Sequence, residues 1–108
     1  MATSYKVIAQ QASTSSLVSM LTVAAATETI ISSMVICNRS ASAQTYSIVV
    51  RPNNATLADK HYIAYSTPIA ANATVVYTIG MTLDATDQIY IMSAGTDLSF
   101  TLFGSEIA

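Results

Sequence analysis

The chain has 108 residues and a formal net charge of −2, with 52% hydrophobic but only 9% charged residues. This length favours one domain with one core, because a chain of this size buries roughly two-thirds of the surface that it exposes when unfolded. The charged share lies far below the usual value of about 25%, and the few cations are scattered, which excludes the clustered basic face that nucleic-acid binding needs.

The sequence predicts strands rather than helices, because apolar residues alternate with polar ones over short stretches. In the last such stretch, for example, Leu98, Phe100 and Leu102 share one face. The predicted strands in chain order are Tyr5–Ala9, Leu17–Val23, Thr29–Asn38, Tyr46–Arg51, His61–Tyr65, Thr74–Ile79, Gln88–Met92 and Leu98–Leu102.

Polar connectors separate the predicted strands. Pro52–Asn54 has turn chemistry, and Ala94–Asp97 is predicted as a tight turn between the last two strands. Pro68 favours extended geometry at Thr67, where we expect a strand to end. The segment Ala55–Lys60 is where a helical turn is most compatible with the residues.

Short strands with turns every 8 to 12 residues, roughly, predict an all-β domain, either an antiparallel β-sandwich or a jelly-roll-like barrel of about eight strands. Parallel units need helical crossovers, for which there is no room. We therefore expect residues 1–108 to form a single domain, in which residues 1–11 are a packing or strand-exchange arm.

The chemistry-bearing residues do not form a catalytic pattern. Cys37 and His61 are the lone cysteine and histidine, and their spacing does not support a nucleophile–base pair. Asp84 and Asp87 could hold calcium, but in a loop they are ordinary turn residues. We predict no enzyme activity, no metal and no cofactor, in a chain folded in a reducing cytosol.

Membrane association is also not expected. The longest apolar runs, such as residues 34–37, are far shorter than the roughly 20 residues that span a bilayer. The start of the chain has no basic region followed by an apolar stretch, so we expect no secretion signal.

The chain has six tyrosines against two phenylalanines. Tyrosine is favoured at protein interfaces, because its ring packs while its hydroxyl finds a polar partner. A core position is the alternative for each one. Together with the amino-terminal strand, this bias gives a predicted interface of seven residues, namely Tyr5, Lys6, Val7, Ile8, Tyr62, Tyr65 and Tyr90.

Several segments resemble a family of small virion proteins of tailed bacteriophages, found among phages of cyanobacteria and other aquatic bacteria. The resemblance covers most of the chain, and the segments that carry it are YKVIAQ, IISSMVICNRSASAQTYSIVVRP, HYIAYSTPIAANATVVYTIGMTLDATDQIYIMSAG and LSFTLFGSEI. It implies an all-β component present in many copies on a particle, and it carries over no active-site residue.

From this resemblance we expect a capsid decoration, or cement, protein on the exterior of the virion head, assembled in the host cytoplasm. Its expected partners are the major capsid protein or other virion proteins, and copies of itself, with a trimer favoured. The alternatives are a tail, neck or fibre component of the virion, and a receptor or glycan-binding module. No nucleic-acid or membrane partner is expected.

Overall fold

Strands make up most of the computed structural model, which describes residues 2–108. Two single 3₁₀ turns, Pro52–Asn54 and Asp59–His61, lie between the fourth and fifth strands. No helix in the described part of the chain is long and apolar enough to cross a membrane. The strands are β1 (Thr3–Ala12), β2 (Val18–Thr22), β3 (Glu28–Asn38), β4 (Gln44–Arg51), β5 (Tyr62–Ile69), β6 (Thr74–Tyr77), β7 (Met81–Leu83), β8 (Gln88–Ser93) and β9 (Leu98–Ile107).

The strands form two antiparallel sheets that face each other. Sheet 1 has the order β1-β9-β3-β6, with β7 also paired to β3, and sheet 2 has the order β2-β8-β4-β5. The chain passes repeatedly from one sheet to the other, so strands that are distant in sequence become neighbours. This is the strand arrangement of a jelly roll, and it confirms the predicted antiparallel sandwich.

The core lies between the sheets and follows the predicted alternation. Leu98, Phe100 and Leu102 of β9 are at most 1% exposed, and Ile89 and Ile91 of β8 face them fully buried. Burying one such side chain contributes about 1.5–3 kcal/mol. The other buried members of the cluster lie between residues 20 and 83 and are Met20, Val23, Ile31, Met34, Ile36, Tyr46, Ile48, Ala64, Ile69 and Leu83.

A hydrogen bond inside the sandwich links the two sheets. The hydroxyl of Tyr46 on β4 lies 2.7 Å from the hydroxyl of Tyr77 on β6, and the Tyr46 ring meets Phe100 edge to face. Burial and then the contact with Tyr77 raise the pKa of Tyr46 above its ordinary value. The pair therefore joins the two sheets and leaves the buried hydroxyl of Tyr46 with a hydrogen-bond partner.

The segment Asn38–Ser40 holds three loops through side-chain hydrogen bonds. Asn38 is 1% exposed, donates to the carbonyls of Ser42 and Ala70, and accepts from the Ser40 amide. Arg39 donates to the carbonyl of Thr96, in the loop that precedes β9, the neighbouring strand of β3. These residues therefore hold the loops at one end of the sandwich.

Two sequence predictions about the second half of the chain are wrong. Pro68 does not end a strand, because β5 continues through it to Ile69. A proline is tolerated there since β5 is an edge strand, where a missing N–H breaks no ladder bond. The predicted strand Thr74–Ile79 ends at Tyr77, and a separate strand, β7, follows Gly80.

The other connectors agree more closely with the sequence. The helical turn predicted within Ala55–Lys60 forms at Asp59–His61. The turn at Ala94–Asp97 carries the chain from sheet 2 to sheet 1 rather than closing a hairpin. The predicted arm, residues 1–11, begins at Met1, which lies outside the described residues, and from Thr3 onward it pairs with β9 of its own chain. Strand exchange by this segment stays a prediction.

Candidate interaction surfaces

β1 forms one edge of sheet 1, and its first half is exposed. Tyr5 is 85% and Val7 48% exposed, although both are large and apolar. Lys6, between them, donates from Nζ to Oε1 of Glu106 at 3.1 Å. Ile8 differs from its neighbours because it lies at a register shift and packs partly against the core.

The outer face of sheet 1 continues this apolar surface beyond β1. Phe103 of β9 is paired with Val7, and Ser105 of β9 stands between Tyr5 and Ile30 of β3. We call Tyr5, Val7, Ile30 and Phe103 the sheet-1 patch; each is at least 38% exposed. Tyr5, Ile30 and Phe103 also line an open hollow. Contiguous exposed apolar side chains of this kind mark interaction surfaces.

The outer face of sheet 2 carries three tyrosines, which we call the tyrosine cluster (Tyr62, Tyr65 and Tyr90). Tyr62 and Tyr90 stand on either side of Val49 in the sheet, and Val49 is 0% exposed. The rings of Tyr62 and Tyr65 meet edge to face at 5.1 Å, and Tyr65 remains 70% exposed. Two rings of the cluster, those of Tyr62 and Tyr65, are therefore already packed together within the chain.

A cation adjoins the tyrosine cluster. The guanidinium carbon of Arg51 lies 4.8 Å from the centre of the Tyr90 ring, and the Nε of Arg51 donates to the carbonyl of Ala55 at 2.7 Å. Arginine and tyrosine are the residues that most often dominate binding energy at protein interfaces. Because both are already oriented, a partner binding here loses less side-chain entropy.

The residues weighed for catalysis are separated. Cys37 lies on β3 in sheet 1, half-buried and free. His61 ends the 3₁₀ turn directly before β5, is 7% exposed, and accepts a hydrogen bond at Nδ1 from the Ala58 amide at 3.0 Å. The structure therefore does not bring the two together, and His61 supports the loop before β5.

The two aspartates considered for calcium hold a turn. Asp87 accepts from the Asn53 amide at Oδ1 and from the Asp84 amide at Oδ2, at 2.8 and 2.9 Å. Both carboxylate oxygens are thus engaged by backbone N–H groups. No group of three or more His, Cys, Asp and Glu side chains in residues 2–108 is placed to hold a metal ion.

The predicted interface residues therefore fall on two separate surfaces. Tyr5, Lys6 and Val7 lie at the β1 edge, while Ile8 turns toward the core. Tyr62, Tyr65 and Tyr90 lie together on sheet 2. Sequence reasoning missed Phe103 and Ile30, which strand register alone places beside Tyr5 and Val7. Alternation along β9 does predict that Phe103 is exposed, because it directly follows Leu102, which faces the core.

Comparison with known proteins supports the fold. No family model and no curated protein matches the chain. A chain in the structure of infectious bursal disease virus, Gx strain, matches with a TM-score of 0.54 at 10% sequence identity. The match covers 97% of this chain and 32% of that chain, so this chain spans about a third of its length. At such low identity the likeness shows a shared all-β architecture.

Proposed function

We propose that the protein is a structural component of a bacteriophage virion, and that it acts as a capsid decoration, or cement, protein on the head exterior. The observation that carries this proposal is the exposure of large apolar and aromatic side chains on the outside of both sheets. A small domain with few charges normally hides such surfaces. The fold shared with a chain of a virus structure is compatible with this role.

The tyrosine cluster is the surface that we assign to the shell. Tyr65 offers an exposed ring against which Tyr62 packs, and Arg51, already oriented over the Tyr90 ring, adds a cation. A partner that covers this surface gains aromatic burial without unfolding any part of the sandwich. The major capsid protein is the expected partner, and other virion proteins are the alternative.

Stabilisation of the shell would follow from mass action. A protein that binds the assembled lattice and not its free subunits stabilises each site by RT ln(1 + [L]/Kd), about 2.7 kcal/mol when its free concentration is 100 times Kd. Many sites on one head add these contributions. Modest contacts at each site would then raise the resistance of the shell to internal pressure.

Binding to empty shells tests this role. Purified protein is mixed with heads of the encoding phage that lack it, and bound protein and shell melting temperature are measured. We expect saturable binding and a higher melting temperature. Tyr65→Lys should weaken binding about tenfold or more, whereas Thr82→Lys, also exposed but on sheet 1, should bind as the unaltered protein does. Heads that neither bind the protein nor change in melting would refute the proposal.

A tail, neck or fibre position in the virion would use the same surfaces. Labelling the protein in electron micrographs distinguishes such a position from one on the head.

A glycan-binding module is favoured by one observation, the hollow that Asp59 shares with Tyr62 and Tyr65, since a carboxylate beside exposed rings can bind sugar hydroxyls. A glycan array without signal would remove that alternative. The expected trimer stays a prediction, to be settled by the mass of the protein in solution.

A further inference from the structure

The two sheets have four edges, which differ in how well they are protected against pairing with another strand. β5 contains Pro68 and a left-handed Ser66 with φ of 45°. β2 has only five residues and a register shift after Ser19. The far edge of sheet 1 is broken between β6 and β7 at Gly80, where φ is 60°. Short, bent or proline-containing edges are the usual means of preventing strand addition.

β1 lacks most of this protection. It has ten residues, contains no proline and carries a single charge, Lys6. Its one register shift lies between Val7 and Ala9, so Thr3–Val7 forms a regular, exposed run. An open strand of this kind recruits another strand through its backbone.

The hydrogen-bonding direction of each residue in this run follows from the pairing with β9. Ala2 and Ala108 exchange two backbone bonds, at 2.8 and 3.0 Å. Antiparallel ladders alternate bonded and non-bonded pairs, so Ser4 and Lys6 bond to β9 as well. The N–H and C=O groups of Thr3, Tyr5 and Val7 therefore point away from β9, toward the open edge.

The register shift limits this pattern to the first half of β1. At the other end the Ser13 amide donates to the carbonyl of Leu98 at 2.8 Å, so by the same alternation Gln11 and Ala9 face β9. The backbone N–H and C=O groups of odd-numbered residues therefore point toward the open edge before the register shift and toward β9 after it. A partner strand can therefore follow one unbroken bonding pattern along Thr3–Val7 only.

We infer that the occupant of this edge is a second copy of the same chain, paired antiparallel through β1 about a two-fold axis at Tyr5. In this register Tyr5 faces Tyr5 of the second copy, and Thr3 faces Val7. Every outward backbone group between Thr3 and Val7 then meets a complementary one. Centring the axis on Lys6 is less favourable, because Thr3 would then face Ala9, whose backbone bonds β9, and because the two lysines would oppose each other.

Charge complementarity favours the same register. With the axis at Tyr5, Lys6 of the second copy faces Ser4, and Ser4 is paired with Glu106 on β9. The lysine then stands two strands, about 10 Å, from this glutamate, a separation that two long side chains can span. Each Lys6 thus lies between its own Glu106 and that of the other copy, and no like charges face each other.

The inference adds to the proposed function the identity of one neighbour, since a second copy of the chain would contact β1 on the particle. A two-fold contact joins copies in pairs. In a protein that also forms trimers through another surface, it would link one trimer to the next. Its test needs no shells, so this inference and the shell-binding role fail separately.

Cysteine cross-linking tests the register. In a Cys37→Ser background, Tyr5→Cys places two thiols on facing residues, whose Cα atoms are about 5.5 Å apart in a bonded pair, within the range of a disulfide. We expect mild oxidation to give a covalent dimer. Gln10→Cys on the same strand has no facing partner in this register, and Tyr65→Cys is also exposed but lies on the protected β5 edge, so both should remain uncross-linked.

A charge variant tests the contact without oxidation. Tyr5→Lys places two lysines opposite each other, while the fold is left intact because Tyr5 is 85% exposed. We expect the unaltered protein to show even multiples of the chain mass by light scattering, and Tyr5→Lys to halve that mass with unchanged circular dichroism. Cross-linking of Gln10→Cys as fast as Tyr5→Cys, or an unaltered protein that stays monomeric at its solubility limit, would overturn the inference.

Discussion

Gly104 of β9 is the position where the packing of sheet 1 can be tested most sharply. Added at this glycine, a Cβ would overlap the carbonyl oxygen of Ile30 and lie 2.9 Å from its carbonyl carbon and 3.0 Å from the Cα of Ile31. All three atoms belong to the backbone of β3. No side-chain rotation can relieve the overlap, so Gly104→Ala must push β9 and β3 apart.

The expected loss follows from two opposing contributions. Forcing an extra carbon into a closely packed site costs about 1–3 kcal/mol or more, whereas replacing glycine by alanine in a strand returns roughly 0.5–1 kcal/mol of chain entropy. A net loss of about 2 kcal/mol corresponds to a melting temperature lower by about 8–16 °C in a domain of this size. Thermal unfolding followed by circular dichroism measures it.

Gly95 supplies the matched control. A Cβ there would meet no atom within 4 Å, and its φ is not in the left-handed region, so Gly95→Ala should leave the melting temperature unchanged or slightly higher. Gly80 has equal space but a φ of 60°, so Gly80→Ala should cost an intermediate amount of about 1 kcal/mol. Equal melting temperatures for Gly104→Ala and Gly95→Ala would refute the close approach of β9 to β3.

Three further predictions concern single side chains. The pKa of Tyr46 is raised in the folded state, so the free energy of unfolding should fall as pH rises above the ordinary tyrosine value of 10.0. Urea titrations at pH 9 to 11 should show a smaller fall for Tyr46→Phe, and an identical pH dependence of the two proteins would contradict the buried pair. Asn38→Ala removes three hydrogen bonds from a 1% exposed side chain and should cost about 2–3 kcal/mol of unfolding free energy, whereas a loss below about 0.5 kcal/mol would show that the loops hold without it. Lys6→Ala breaks an exposed ion pair with Glu106 and should change monomer stability by less than about 1 kcal/mol, so a larger loss would mean that this pair supports the fold itself.

Alternation predicted the strands and the inward faces well, because a period of two is set by local geometry and by burial on one side. Leu98, Phe100 and Leu102 illustrate this, since all three are core residues as the pattern required. Pro68 shows the limit of local reasoning. A strand can contain proline if it lies at the edge of a sheet. Whether it does so is decided by the order of the strands, which local sequence does not specify.

The interaction surfaces were predicted only in part for the same reason. Composition pointed to exposed tyrosines, and Tyr62, Tyr65 and Tyr90 do lie together. Their meeting depends on the pairing of β4 with both β5 and β8, which no local pattern specifies. Ile30 and Phe103 join Tyr5 through contacts between segments some 25 to 100 residues apart in sequence, for which long-range register is needed.

Direct visualisation of the protein on the mature particle is the measurement that addresses the central claim, that both outer faces of this sandwich exist to be covered by neighbours. Under the proposed function, a cryo-electron microscopy map of the virion should show the jelly roll repeated over the head, with the tyrosine cluster against the shell. A mature particle that lacks the protein, or one in which Tyr65 and its neighbours face solvent at every copy, would contradict the account.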